Sequence, residues 1–261
     1  MHAELGLPLG MLFGFLAVLA RVSTALAFVP LPGLTAAPGM VRAVLAVSLT
    51  VVLAPLWPEV APAEFAAGRI LILLLSEAAL GITIGLAVAF LIETLLFASQ
   101  VFGVQAGYSY ASTIDPNTQA DSGVLTVFAE LMSGMIFFSL GLDREVLRAF
   151  AASLRLYPPG TFLLKAPAAE AVIALGANML TTGVRMALPM VALLMLVDMA
   201  LALLGRMHQQ LQLLSLAFPV KMLATLAFLA AISALFVPVY RGAAERTIAA
   251  LFRLFQRAHG G

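Results

Sequence analysis

Six long apolar stretches, most of a length that crosses a bilayer, constrain this chain more than any other feature. They cover residues 9–31, 40–57, 70–92, 123–142, 174–204 and 215–240. A helix needs roughly 17–25 such residues to cross about 30 Å of hydrocarbon at about 1.5 Å per residue. Only α-helices and closed barrels satisfy their own backbone polar groups in that medium. These runs are uniformly apolar and lack the period-two alternation of barrel strands. The fold class they predict is therefore all-α, an integral membrane-type helical protein. Composition agrees: of 261 residues, 62% are hydrophobic and 10% charged, where ordinary soluble domains carry about 25% charge. So much apolar side chain excludes disorder, and a net charge of +1 excludes nucleic-acid binding through a basic patch. With no cysteine, disulfides, thiolate metal sites and cysteine nucleophiles are excluded as well.

The first run is expected to stay attached as a span. The residues before it, Met1, His2, Ala3 and Glu4, form no basic n-region, and the run is too long for the apolar core of a signal peptide. Six spans would place Arg69, Arg144, Arg148, Arg155, Lys165, Arg241, Arg246, Arg253 and Arg257 on one side. The other side would receive only Arg42 and Arg206, with Arg21, Arg185 and Lys221 inside the runs. This excess predicts both termini in the cytoplasm. Within residues 241–257, Ile248, Leu251, Phe252 and Phe255 share one helical face among arginines. That pattern predicts a basic amphipathic helix, suited to a lipid surface or to a protein partner.

Residues 93–122 contain neither Lys nor Arg. Their first half continues the helix that starts near residue 70. The second half is a polar loop with a turn at Asp115-Pro116-Asn117, where the proline ring fixes its own φ and restricts the residue before it. So long a connector is read either as a flexible extracytoplasmic hairpin or as a gate lying over a pore. Gly103 and Gly107 are four residues apart, as are Gly81 and Gly85, the small-residue spacing that lets helices approach closely. Glu77 lies one turn before Gly81 on the same face.

Charges inside apolar runs must be paired or hydrated. Glu77, Arg185, Asp198 and Lys221 stand in such runs and are read as buried charges. Arg185 and Asp198, thirteen positions apart, are too distant to pair along one straight helix. Ion pairs between segments, contact with another subunit and a proton relay are the available readings. The relay is weakened because His2, His208 and His259 all lie outside the runs. No zinc-protease, nucleophile-elbow or phosphate-loop pattern occurs, so neither catalysis, metal nor cofactor is expected.

Taken in order, several short motifs resemble one family. They are Pro32, Pro38 and Arg42; Glu77, Gly81 and Gly85; Gln105-Ala106-Gly107-Tyr108 followed by Asp115-Pro116; Ala187-Leu188-Pro189 and Asp198; Leu204-Gly205-Arg206; and Phe218-Pro219-Val220-Lys221. The set resembles FliR, the flagellar export-gate family of the bacterial type III secretion apparatus. Departures fall at Gln209-Gln210-Leu211-Gln212 and at Leu142-Asp143. The resemblance implies a non-catalytic inner-membrane, multi-pass protein of the flagellar basal body, its extended helical hairpins packed in a hetero-oligomeric export gate. It implies FliP-like and FliQ-like subunits as partners, FlhB-like and FlhA-like export components beside them, and unfolded exported proteins as substrates. Residues 1–173 would form a FliP-like part, 174–240 a FliQ-like hairpin and 241–261 the cytoplasmic basic tail. The channel plug would be residues 105–118, with Gln105, Gly107, Tyr108, Ser109, Tyr110, Asp115 and Pro116 in it. The alternative is a small-solute secondary transporter, favoured by helices expected to break at Pro189 and Pro219.

Overall fold

In the computed structural model, residues 9–30, 38–58, 67–108, 124–162, 166–207 and 213–257 are described, and all their regular structure is helical. The helices are α1 (Leu9–Phe28), α2 (Gly39–Val52), α3 (Ala67–Ala106), α4 (Val124–Ser139), α5 (Leu142–Leu156), α6 (Ala166–Met207) and α7 (Leu213–Arg257), with a 3-10 turn at Ala54–Leu56. The chain divides into two compact units. The first holds Met1–Phe90, Gly141–Gly176 and Glu245–Gly261, and the second Leu91–Leu140 and Ala177–Ala244.

Among the described residues, four helices are long and apolar enough to cross a membrane, Gly10–Phe28, Gly68–Ala106, Ala169–Met207 and Ala217–Phe255, or five if α4 and α5 form one broken span. The expectation of six spans is therefore corrected. The run at 40–57 supplies a helix of only 14 residues, because Pro55 lacks the N–H that would continue it. The chain turns instead through Ala54–Leu56, and the Trp57 indole Nε1 donates back to the Thr50 carbonyl at 2.8 Å. The run at 123–142 stops at Leu140–Gly141, where Gly141 takes φ +66°, a value that costs glycine nothing.

Two other expectations are also corrected. Pro189 and Pro219 do not break their helices: α6 continues from Ala166 to Met207 and α7 from Leu213 to Arg257. Interior prolines are tolerated in apolar helices when neighbouring groups satisfy the freed carbonyls. Without broken helices, the transporter reading loses the feature that favoured it. Residues 241–257 are helical as expected, but as the end of α7 and not as a separate surface helix. Leu251 and Phe255 from the predicted face are buried in the core of the first unit, so this face is covered by the chain itself.

That core is built from positions spaced by three and four. Val18, Val22, Ala25 and Leu26 come from α1, and Leu80, Ile84 and Ala87 from α3. Ala149, Phe150 and Leu154 of α5 meet Leu251, Leu254 and Phe255 of α7, with Tyr157 and Phe162 closing the cluster. The amphipathic α5 carries Asp143 and Glu145 in its first turn and Arg155 in its last, which matches the helix dipole. Within the second unit, α3 buries Leu91, Ile92, Leu95, Ala98 and Phe102, α4 buries Leu125, Ala129, Ile136 and Phe137, and α6 buries Met186, Met190 and Leu194. There Ser133 of α4 donates to the Ile92 carbonyl at 3.1 Å and lies 3.3 Å from the Tyr240 hydroxyl.

Candidate functional site

Among the described residues, each unit holds an ion pair between helices set among apolar side chains. In the first unit, Arg21 of α1 and Glu77 of α3 form an ion pair at 2.7 Å with side chains 0% and 1% exposed. Such a pair survives burial only if the remaining donors and acceptors are also satisfied. Here they are. Arg21 Nε donates to Glu77 Oε2 at 2.7 Å, Nη1 to Ser153 Oγ at 2.9 Å and Nη2 to the Tyr157 carbonyl at 3.3 Å. The other carboxylate oxygen, Oε1, accepts from the Gly160 N–H at 3.4 Å. Gly160 takes φ +78°, so the Pro158-Pro159-Gly160 turn reaches the carboxylate through a conformation that favours glycine. The Tyr157 hydroxyl donates to the Leu254 and Phe255 carbonyls, both at 3.3 Å, satisfying acceptors that the last turn of α7 leaves open. Burial pushes the Tyr157 phenol up, which keeps it a proton donor.

The expected glycine contact sits beside this pair. A Cβ on Gly81 would fall 2.1 Å from the Arg21 carbonyl oxygen and 2.1 Å from Thr24 Oγ1, and one on Gly85 would fall 2.5 Å from the Ala25 carbonyl oxygen. The backbones of α1 and α3 therefore approach closely at these two glycines. At Gly103 the nearest atom is Leu125 Cδ1 at 3.6 Å, an ordinary contact. Gly107 takes φ +86°, and a Cβ there would fall 2.8 Å from Phe218 Cδ1. The Tyr108 N–H donates to the Gly103 carbonyl at 3.1 Å and the Gly107 N–H to the Val104 carbonyl at 3.2 Å. This pair of bonds is the Schellman motif, in which glycine closes a helix.

The second cluster surrounds that helix end. Lys221 Nζ of α7 meets Asp198 Oδ1 of α6 at 2.7 Å, with side chains 16% and 40% exposed. The other oxygen of Asp198 accepts from Gln105 Nε2 at 2.9 Å. Tyr108 Oη donates to the Met222 carbonyl at 3.2 Å, and burial pushes its phenol up as well. The end of α3 and its cap are thus tied to α6 and α7 immediately before residue 109. Of the expected plug residues, Gln105, Gly107 and Tyr108 are among these anchors. Ser109, Tyr110, Asp115 and Pro116 lie outside the described residues.

Asp198 and Lys221, singled out separately in the sequence, are therefore partners, and Glu77 is buried against Arg21. Arg185 is placed differently: its side chain is exposed on α6. Sequence reasoning did not single out Arg21, although it alone interrupts the first apolar run. Among the described residues no group of His, Cys, Asp or Glu is arranged to hold a metal ion.

Comparison with known proteins gives a consistent result. Residues 12–247 match the family described as bacterial export proteins, family 1. The chain is 28% identical to the flagellar biosynthetic protein FliR of Escherichia coli (strain K12), over 85% of this chain and 84% of that protein. It is 25% identical to the protein of that name in Pectobacterium carotovorum subsp. carotovorum, over 79% and 77% of the two chains. With the Caulobacter vibrioides protein of that name, identity is 23% over 82% and 85%.

Proposed function

The chain belongs to the bacterial export proteins, family 1, and we propose that it helps to form and to close the channel through which unfolded proteins leave the cell. It is a FliR-type component of the flagellar, type III export apparatus in the inner membrane, and it is not an enzyme. Its role within that apparatus is structural. Its partners are FliP-like and FliQ-like helical subunits, with FlhB-like and FlhA-like components beside them. Residues 1–173 resemble the first of these and 174–240 the second. An even number of spans would return both termini to one side, and the basic end, residues 241–261, is assigned to the cytoplasm.

The observation that carries the channel-closing reading is the anchoring of the α3 terminus. A plug must stay attached while its body moves. Gln105, Gly107 and Tyr108 supply that attachment, through a glycine-closed helix end and contacts to Asp198 and the Met222 carbonyl. Beyond them, the loop carries no charge until Asp115 and is rich in small residues. Weak contacts of this sort cost only about a few kcal/mol to release, which a binding substrate can supply through its preference for the open state.

Deleting residues 109–113 tests this. The shortened chain is expected to enter the complex at normal levels and to leave the inner membrane permeable to ions and small dyes. A deletion complex that assembles and stays as tight as the wild type would overturn the assignment of the seal to this loop.

A further inference from the structure

The exposed face of α6 around Arg185 combines two features that do not belong on the same surface. Thr181, Val184, Leu188, Pro189 and Ala192 surround the guanidinium at helical spacing, and all are exposed. Arg185 itself is exposed and forms no hydrogen bond or ion pair with any described residue. On the same helix, Asp198 is thirteen positions away, or about 20 Å at 1.5 Å per residue, and is already held by Lys221 and Gln105. The guanidinium therefore has no carboxylate of the described residues beside it.

Lipid does not suit this face. Exposed large apolar residues on α6 run from Ile173 to Met207, about 50 Å of helix, whereas hydrocarbon covers only about 30 Å. An arginine set among those residues is costly in hydrocarbon unless it snorkels to the interface or is paired. Water does not suit it either, because the apolar neighbours would then remain exposed over a long continuous stripe.

We propose that this face is a protein interface, and that the covering partner is an apolar helix of another polypeptide carrying one carboxylate level with Arg185. Arginine forms planar two-bonded pairs with carboxylates and is less strongly hydrated than lysine, so it suits such a desolvated seam. This reading rests on the proposed place of the chain among other helical subunits, and it adds the chemistry by which one of them is recognised. Pairing across the seam fixes the register of the two helices, since apolar surfaces alone slide at little cost.

The test is charge reversal in the full chain, expressed with the other export components. Arg185→Glu removes no bond within its own unit, so membrane levels of the chain are expected to hold. The assembled complex is expected to fall at least tenfold, and motility with it. Selection for restored motility is expected to return acid-to-base changes in a second export protein. Wild-type assembly by the Glu variant would overturn the proposal. So would suppressors confined to this chain's own Asp115 or Asp121, which would make the partner intramolecular. So would an Arg185→Ala complex whose only defect is lost dependence on anionic lipid, which would make the partner a phosphate. Should the Glu variant not accumulate, Arg185→Met removes the charge without adding repulsion, and its assembly at wild-type level would equally overturn the proposal. The loop deletion reads permeability of an assembled complex, so either result can fail without the other.

Discussion

The Arg21–Glu77 pair of the first unit and the Asp198–Lys221 pair of the second are held at the same 2.7 Å separation but in different surroundings. Arg21 and Glu77 are withdrawn from solvent, and the polar atoms around them are bonded to the chain. The Asp198 side chain keeps 40% of its surface, and its neighbours are long side chains that can release it. Equal geometry thus has unequal consequences. Breaking a buried pair strands a charge where nothing else can solvate it, whereas Asp198 keeps Gln105 and an accessible face when Lys221 is lost. The first pair suits a permanent joint among α1, α3 and the turn after α5. The second suits an anchor at the foot of the segment proposed to close the channel.

The largest effect is expected from stranding the buried charge. Glu77→Leu leaves the Arg21 guanidinium with one hydroxyl and one carbonyl, and is expected to destabilise the chain by about 3–5 kcal/mol. Since total stability of a domain is about 5–15 kcal/mol, the variant should be scarce in membranes and aggregate at lower temperature in detergent. Replacing both partners, Arg21→Met with Glu77→Leu, removes the charge and its penalty together. The double variant is expected to return to within about 1 kcal/mol of wild type or to exceed it. A double variant as weak as the single one would show that lost packing, and not the stranded charge, is responsible.

A smaller but sharper comparison uses the glycines. Adding one methyl at Gly81 pushes into the Arg21 carbonyl oxygen, 2.1 Å away, and backbone cannot rotate aside as a side chain does. Overpacking of this type costs about 1–3 kcal/mol, and the displaced α1 should also loosen the ion pair. Gly103→Ala meets only Leu125 Cδ1 at 3.6 Å, and the gain in helix propensity, up to about 1 kcal/mol, favours alanine. Side-by-side thermal aggregation of the two alanine variants checks this. Equal losses would mean that the two glycine pairs do the same job.

Apolar length made α1, α3, α6 and α7 legible in the sequence, because a helix in an apolar medium needs little besides length and side-chain hydrophobicity. It misjudged residues 40–57, where Pro55 acts through a missing N–H that hydropathy does not register. It also placed a boundary at Arg241 where charge begins, although α7 runs on to Arg257. Charge decides which face meets water and does not by itself end a helix. The glycine spacing at Gly81 and Gly85 was readable because close approach requires small residues at a fixed period. Gly107 shares that period with Gly103 but has a further need, since it is a helix cap that takes a positive φ while Phe218 packs close against it. Glu77 was conspicuous as a charge in a run. Its partner Arg21 lies 56 positions away, and no local pattern connects residues that only folding brings together.

The smallest effect on stability is expected at the exposed pair. Lys221→Met removes one partner of a carboxylate that keeps an accessible face and its contact with Gln105. A more accessible pair contributes less than a fully buried one, so the level of the chain in membranes should fall far less than in Glu77→Leu. The function of the anchor should nonetheless suffer. Asp198 without its counter-ion is drawn toward water, which weakens the Gln105 contact at the foot of the loop. Dye entry into cells carrying the Met variant should then lie between that of the wild type and that of the 109–113 deletion. Raising salt in a purified wild-type complex should have a similar but weaker effect, because the Debye length shrinks from about 10 Å at 0.1 M to about 3 Å at 1 M. The same salt should leave the Arg21–Glu77 pair intact, since ions cannot enter a site with no accessible surface. A Lys221→Met chain that disappears from membranes like Glu77→Leu would erase the distinction between the two pairs. One that stays abundant and fully tight would separate the ion pair from the closure of the channel.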